Sequence, residues 1–282
     1  MRNIMTYIIA EIGINHNGDL ETAKRLIDVA AASGCDAVKF QKRNPDVCVP
    51  EHQKGIMRET PWGCMTYLEY KYRVEFGKKE YDEIDRYCRT KEIEWSASPW
   101  DIDSLNFLKE YDLPWIKVPS AMLTNVELLT AALETEKKLI ISTGMSTKLE
   151  IQHTVDYIVK RNPNIELVLL HCNSTYPAPL KELNLKCIQT LKEDYPFAEI
   201  GYSGHEFRLG TTVSSIYLGA TYLERHITLD RTMWGSDHLS SVEPQGLFKL
   251  VKGVRELELA LGDGQIQVYD GEKAARLKLR GY

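Results

Sequence analysis

Apolar residues along the chain fall into two alternating spacings: runs of period two that suit strands, and stretches of period near 3.6 that suit helices. Residues 7–10 form a short apolar strand ending at Glu11, and the tight polar loop 13–18 follows. Asp19 is placed to cap a helix over 20–32, whose apolar positions Ala23, Leu26, Ile27 and Ala30 share one face. Gly34 closes that helix, and 36–42 is a second strand with Val38 and Phe40 on one face and Lys39 and Gln41 on the other. Segment 43–79 breaks the rhythm with prolines, several tyrosines, Trp62 and mixed charge, and is expected to be a lid-like insertion over one end of the fold. Regular units resume with helix 80–89 before strand 94–98, helix 102–111 before strand 115–118, helix 125–134 before strand 139–142, and helix 147–161 before strand 166–170. Helix 185–192 feeds strand 200–203, an apolar helix covers 209–218, strand 222–225 follows, and 245–261 is a further helix.

The result is eight strands, beginning near 7, 36, 94, 115, 139, 166, 198 and 222, each followed by a helix. Eight such units make a (β/α)8 TIM barrel the expected α/β architecture, with 1–282 as a single domain and 262–282 as a tail too short to fold alone. A doubly wound sheet is the alternative, but no strand–GxGxxG–helix fingerprint supports it.

Composition narrows the function classes. A net charge of −5 with scattered Lys and Arg argues against a nucleic-acid surface and leaves room for a local anion pocket. No apolar run approaches the roughly 18 residues of a membrane span. A strand entered almost at once leaves no room for a signal peptide. Six cysteines without a Cys-x-x-Cys pair read as reduced thiols, which points to a cytoplasmic protein.

In a barrel of this kind the C-terminal strand ends carry the active site. Those positions hold Glu11, Lys39, Gln41, Ser98, Lys117, Ser120, Ser142, Ser174, Tyr176, Ser203, His205 and His226. Lysines on the inner face of a strand are costly unless an anion or a carboxylate meets them, so Lys39, Lys117 and the serines suit a phosphate plus a carboxylate. His205 and His226 end consecutive parallel strands, so both imidazoles lie on one face; with Asp237 on a Gly/Ser loop they suit a divalent metal. Plainer readings stand beside these. Lys39 and Lys117 could pair with Glu11 and Asp237 in a structural network, Ser98 and Ser142 could cap helices, and the histidines could be unrelated. His171 and Cys172 lie in an apolar strand and are read as packing residues, while Trp62 and Trp234 are either lid or core.

The segments IIAEIGINHNG (8–18), AVKFQ (37–41), KVPS (117–120), STGM (142–145), LHCNSTYPAP (170–179), GYSGH (201–205), ERHIT (224–228) and GSDH (235–238) occur in that order. Through them the chain resembles the sialic acid synthases, phosphoenolpyruvate-condensing barrel enzymes that make nonulosonic acids. The resemblance implies phosphoenolpyruvate on Lys39, Ser98, Lys117, Ser120, Ser142, Ser174 and Ser203, and a manganese ion, with magnesium or cobalt as substitutes, on His205 and His226. Glu11, Gln41, Tyr176 and Asp237 would face the acceptor sugar and the reacting centre. The implied reaction is a metal-dependent aldol-type condensation: C3 of phosphoenolpyruvate attacks an open-chain aldehyde, water attacks C2, and phosphate leaves with C–O cleavage. A homodimer or higher homo-oligomer is expected.

Two features depart from the family pattern. An acidic residue that contacts the sugar usually stands two positions after the serine of KVPS, and here Met122 takes that place among the sugar-side residues. The typical member also carries a C-terminal antifreeze-like domain with an arginine for its partner's site, whereas this chain stops at Tyr282 after a linker-like EKAARLKLRGY. N-acetylmannosamine is therefore expected to be a poor acceptor, with a different or phosphorylated aldose preferred and Arg58, Arg73 and Trp62 supplying replacement contacts. The rival readings are a synthase of a different ulosonic acid, a Schiff-base aldolase using Lys117, and a sugar-phosphate-binding barrel without activity.

Overall fold

In a computed structural model describing residues 5–281, β1 (Tyr7–Gly13) and α1 (Leu20–Ser33) lead to β2 (Ala37–Lys42). The insertion follows as two short helices, α2 (Pro45–Cys48) and α3 (Glu51–Lys54), an antiparallel hairpin of β3 (Met57–Thr60) and β4 (Gly63–Thr66), and α4 (Tyr67–Val74). Strict alternation then runs through α5 (Lys78–Thr90), β5 (Glu94–Pro99), α6 (Ile102–Leu108), β6 (Trp115–Val118), α7 (Val126–Leu133), β7 (Lys138–Ser142) and α8 (Lys148–Arg161). It continues through β8 (Leu167–Cys172), α9 (Cys187–Asp194), β9 (Glu199–Gly204), α10 (Gly210–Tyr217), β10 (Tyr222–His226) and α11 (Pro244–Leu261). Residues expected to form a bare tail include a further helix, α12 (Asp270–Arg280), none of which is buried.

The barrel strands are parallel in the order β5-β2-β1-β10-β9-β8-β7-β6, and the two end strands lie side by side, giving a (β/α)8 barrel. No backbone ladder joins β5 to β6 among the described residues; the Ser96 hydroxyl of β5 donates instead to the Trp115 carbonyl of β6 at 2.7 Å. Period-two alternation sets the layers. Ile8, Ala10, Val38, Phe40, Ile116, Val118, Leu139, Ile141 and Leu223 point outward into the main core beneath the helices. Ile9, Ala37, Trp115, Ile140, Val168, Leu170 and Tyr222 point inward and fill the floor of the barrel. Below that floor, Trp115 donates to the Tyr7 hydroxyl at 3.2 Å and Lys138 to the Tyr222 hydroxyl at 3.0 Å. The next inward layer is polar, and the floor shields it from solvent on that side.

Local chemistry fixes the ends. The Asp19 carboxylate accepts from Thr22 N at 2.8 Å and caps α1, and Gly34 closes it at φ +83°. Ser98 and Ser142 do not cap helices: Asp101 caps α6 and Thr147 caps α8, which leaves both serines inside the barrel. Among the described residues no helix is long and apolar enough to cross a membrane, and the six cysteines are free.

The loop after β1 is tied down. The Asn15 amide donates to Ile227 O and Ser241 Oγ, both at 2.8 Å, and the His16 ring stacks 3.9 Å from that of Phe76. His16 Nδ1 accepts from Gly18 N at 3.0 Å, and burial lowers its pKa from 6.5 to about 3. Between those two values the unfolded chain binds a proton that the folded chain refuses, so stability is full above pH 6.5 and falls as the pH drops. From this group alone the loss is about 1.4 kcal/mol per pH unit. We expect His16→Gln to flatten the acid side of a urea-midpoint-against-pH curve; an unchanged slope would show that His16 is not the group titrating.

Candidate active site

The polar layer above the floor collects, from seven different strands, Glu11 (β1), Lys39 (β2), Ser98 (β5), Lys117 (β6), Ser142 (β7), Ser203 (β9) and Glu224 (β10), all buried. Lys39 Nζ lies 2.7 Å from Glu11 Oε2 and donates to Ser98 Oγ at 2.9 Å. Lys117 Nζ donates to Ser142 Oγ at 2.7 Å. Glu224 sits between the lysines, its Oε2 3.8 Å from Lys39 and 3.7 Å from Lys117, while its Oε1 accepts from Ser203 at 3.1 Å. The structural network weighed from the sequence thus exists in altered form: Glu224 takes the place given to Asp237. Tyr222, Glu224 and His226 alternate on the inner face of β10, a period-two signal that places Glu224 in the site.

Register positions Glu11. Alternation with Ile9 turns the Glu11 carboxylate inward, and the pairing of β1 with β2 slips just after it, between Glu11 and Gly13. Gly13 has φ +55°, and a Cβ there would stand 3.1 Å from both Gln41 Nε2 and Glu11 Oε1. Gln41 Nε2 donates to Glu11 Oε1 at 2.9 Å. Burial pushes the Glu11 carboxyl upward, only partly offset by Lys39. Burial acts the same way on Glu224, but Lys117 and Lys39 outweigh it and hold that carboxylate low. Burial lowers Lys117, with Glu224 opposing.

At the mouth, the rings of His205 and His226 are 5.4 Å apart. His205 Nδ1 donates to the Asn173 carbonyl at 2.6 Å, since a carbonyl can only accept; Nε2 therefore carries the lone pair, and the Tyr176 hydroxyl donates to it at 3.0 Å. Burial, then the neighbouring His226, lowers His205 to about 4, and burial lowers His226 too, so both imidazoles are neutral near pH 7. His226 Nδ1 is enclosed without a hydrogen-bond partner, 3.7 Å from Asp237 Oδ2. Behind this face Arg225 Nη1 donates to Thr212 Oγ1 at 2.6 Å and lies 3.4 Å from Glu206 Oε1. That buried pair joins the residue after His205 to the residue before His226. No group of three or more His, Cys, Asp or Glu side chains is arranged to hold a metal among the described residues.

A cavity of about 220 Å³ brings together Glu11, Lys39, Gln41, Ser98, Lys117, Ser120, Ser142, Ser174, Tyr176, Ser203, His205 and His226. Asp237 stands behind His226 rather than on the cavity wall. Met122 is also outside it: the 3₁₀ turn after Pro119 lays its side chain against the main core, and Ala121 lines the cavity instead. Cys172, read as a packing residue, is an inward position of β8 and meets Ser120 Oγ at 3.1 Å within the cavity. His171 faces the other way, with Nε2 donating to Leu183 O at 2.7 Å. Gly144 donates its N–H to Ser120 Oγ at 3.1 Å, and a Cβ there would overlap Ser174, Cys172 and Ser120. Trp62 and Trp234 form an aromatic latch, edge to face at 5.7 Å, joining the insertion to the loop after β10.

Residues 26–266 match the sequence profile of the NeuB family. The N,N'-diacetyllegionaminic acid synthase of Campylobacter jejuni is 37% identical over 92% of this chain and 78% of its own length. The human N-acetylneuraminate-9-phosphate synthase is 38% identical over 97% of this chain and 76% of its own. The crystal structure of an N-acetylneuraminic acid synthetase from Leptospira borgpetersenii, in complex with citrate, superposes with TM-score 0.86 at 35% identity, covering 99% of this chain and 94% of that one. A truncated 3-deoxy-D-arabino-heptulosonate 7-phosphate synthase from Thermotoga maritima shares the fold at TM-score 0.69 and 14% identity.

Glu224 offsets two buried lysines, and removing one member of such a group costs about 3–5 kcal/mol. Glu224→Gln is therefore expected to lower the urea midpoint, and added inorganic phosphate to recover part of the loss. A midpoint unchanged from the native chain would remove Glu224 from the charge balance.

Proposed function

The chain belongs to the NeuB family and is a phosphoenolpyruvate-dependent synthase, and we propose that it condenses phosphoenolpyruvate with an open-chain aldose, assisted by a divalent metal ion at His205 and His226, to give a nonulosonic 2-keto-3-deoxy acid and phosphate. The observation that carries this reading is one cavity with two buried lysines on serine hydroxyls at its base and two neutral imidazoles at its mouth. Lys39 and Lys117 hold the charged groups of phosphoenolpyruvate through charge-assisted hydrogen bonds, with Ser98, Ser142 and Ser203 as their neighbours. Ser120 and Ser174 crowd around Gly144, where only a missing Cβ leaves room for ligand oxygens.

The donor set fits a metal. His205 Nε2 carries a lone pair that now accepts from the Tyr176 hydroxyl and would turn to an ion, and His226 Nδ1 is enclosed without a hydrogen-bond partner, so these two imidazoles would hold the metal. Manganese is the first choice and magnesium or cobalt the alternatives, because imidazole with oxygen ligands and no thiolate suits these ions. Such an ion, held by His205 and His226, would supply Lewis acidity to the aldehyde.

The chain's own residues handle the protons. When C3 of phosphoenolpyruvate bonds to the aldehyde carbon, the aldehyde oxygen gains a proton; when water bonds to C2, it loses one. One carboxyl that relays the proton from water to that oxygen balances both events, and the C2–O bond to phosphate then breaks as the ketone forms, the C2 hydroxyl proton leaving on the phosphate. Glu11 suits this task because burial raises its proton affinity towards neutrality while Gln41 and Lys39 fix its two oxygens. The Asn173 carbonyl and Asp237 orient the two imidazoles, and Tyr176 stands at His205 on the acceptor side.

Phosphate release from phosphoenolpyruvate across an aldose panel with Mn²⁺ tests the reading. Chelation, His205→Ala or His226→Ala should each abolish turnover, and full activity of either variant with chelator present would overturn the metal assignment. Lys39→Met and Lys117→Met should each weaken phosphoenolpyruvate binding by roughly tenfold to a hundredfold, as loss of a charge-assisted hydrogen bond implies. Unchanged affinity in calorimetry for both variants would overturn the anion assignment.

A further inference from the structure

The ladder between β9 and β10 ends with Gly204 opposite Arg225, so His205 stands one residue past the last pairing of its strand. His226 is held on two sides, since Ile227 N donates to Glu11 O at 2.9 Å and Val242 N to His226 O at 2.7 Å. Segment 205–208 has one backbone-to-backbone bond among the described residues, from Ala178 N to His205 O at 3.1 Å. The Asn173 carbonyl turns the His205 ring but leaves the main chain after it unfixed.

The Arg225 side chain supplies what the ladder does not. It leaves β10 on the outer side, opposite to Glu224 and His226, and is buried together with Glu206. Its Nη1 donates to Thr212 Oγ1 at 2.6 Å and to Arg208 O at 3.2 Å, and lies 3.4 Å from Glu206 Oε1, while Nη2 donates to Glu206 O. Nε has no partner, so every hydrogen bond is made through the two terminal nitrogens. The Glu206 carboxylate accepts in turn from Thr211 at 2.6 Å, Thr212 at 2.9 Å and the Tyr202 hydroxyl at 2.9 Å. One guanidinium therefore ties two carbonyls of the loop after β9, and the first turn of α10, to the strand that carries His226. Gly204 gives the room, since a Cβ there would stand 2.8 Å from Glu206 Oε2 and 3.0 Å from Arg225 Cδ. A buried pair of this kind adds little net stability, because desolvation consumes most of the attraction; what it adds here is a fixed geometry.

We infer that Arg225 and Glu206 are positioning residues for the two imidazoles: from behind the site they set the separation of His205 and His226, and with it the affinity for a divalent ion, resting on the metal assignment of the condensing reading. Neither side chain lines the central cavity, so the effect passes through the main chain at 205 and 226 and not through contact with a substrate. Two nitrogens offered by different strands hold one ion only while their spacing is kept, and the rings now stand 5.4 Å apart. With the guanidinium fork gone, carbonyls 206 and 208 lose their donors and His205 is free to move relative to His226.

The test is calorimetric titration of the metal-free chain with Mn²⁺ in the native protein, Arg225→Lys, and the double variant Arg225→Met with Glu206→Gln. Lysine keeps the charge, but one ammonium nitrogen cannot reach Thr212 and both loop carbonyls; the double variant leaves no buried charge unpaired. Both should fold, as urea midpoints will show, and each should bind Mn²⁺ roughly tenfold to a hundredfold more weakly. The KM for phosphoenolpyruvate at saturating Mn²⁺ should stay unchanged, and excess Mn²⁺ should restore turnover. Native Mn²⁺ affinity in either folded variant overturns the inference while the metal assignment stands. If the native chain takes up no Mn²⁺, or His205→Ala takes up as much as the native chain, the metal assignment fails and ¹⁵N spectra of the imidazoles decide the positioning role. Loss or broadening of the His205 Nδ1–H resonance in both variants, with the His171 Nε2–H resonance unchanged, supports that role; a native His205 resonance overturns it.

Discussion

Glu224 held between Lys39 and Lys117, with Glu11 against Lys39, is the arrangement on which the rest of the molecule depends. Four ionisable groups inside a barrel are tolerable only if opposite charges meet and hydrogen bonds take up most of the remaining lone pairs and protons. The serines of β5, β7 and β9 meet that second condition for Lys39, Lys117 and Glu224 Oε1, while Glu11 Oε2 and Glu224 Oε2 have only the lysine charges beside them. The apolar floor meets a third, keeping water from entering beneath the cluster. Five of the eight barrel strands therefore divide their inward positions between a floor residue and a polar one: Ile9 and Glu11, Ala37 and Lys39, Trp115 and Lys117, Ile140 and Ser142, Tyr222 and Glu224.

The charge balance also bears on how the base of the cavity would receive the anionic substrate proposed for it. Both lysines already face carboxylates, Lys39 at 2.7 Å from Glu11 and both within 4 Å of Glu224, so an incoming phosphate or carboxylate would compete with Glu224 and Glu11 rather than fill bare cationic sites. Burial that lowers Lys117 and raises Glu11 leaves the group readily rearranged by a ligand's charge. The mouth follows the opposite logic, with imidazoles kept neutral by burial and so presenting lone pairs rather than protons.

Much of this was legible in the chain because the barrel imposes two simple periods. All eight strands and the helices between them follow from apolar spacing, and strand ends directed attention to the residues that converge. What stayed hidden depends on contacts between distant segments. The alternation that put Lys39 and Gln41 on one face applies equally to Glu224, yet a carboxylate inside an ERHIT run reads first as an approach to His226. Cys172 reads as packing because its neighbours are apolar, although it points inward. Met122 occupies a suggestive sequence position, and only the turn after Pro119 decides that its side chain enters the core. The hairpin of β3 and β4 lacks the Asn-Gly or Asp-Gly turn that marks such elements, so the insertion gave no sign of its internal order. Arg43 on Trp100 joins residues with 56 positions between them, a pairing that no local pattern announces.

The missing ladder between β5 and β6 gives the barrel a direction in which to yield. Among the described residues seven of its eight junctions are laced by backbone hydrogen bonds; the eighth rests on the Ser96 hydroxyl and on packing. Lys39 and Ser98 stand on one bank of that gap, Lys117 and Ser142 on the other. A ligand held by both lysines would act as a clasp across it, turning an open cylinder into a closed one. Amide exchange along β5 and β6 would then slow on ligand binding more than anywhere else in the sheet, and the substrate would complete the wall that holds it.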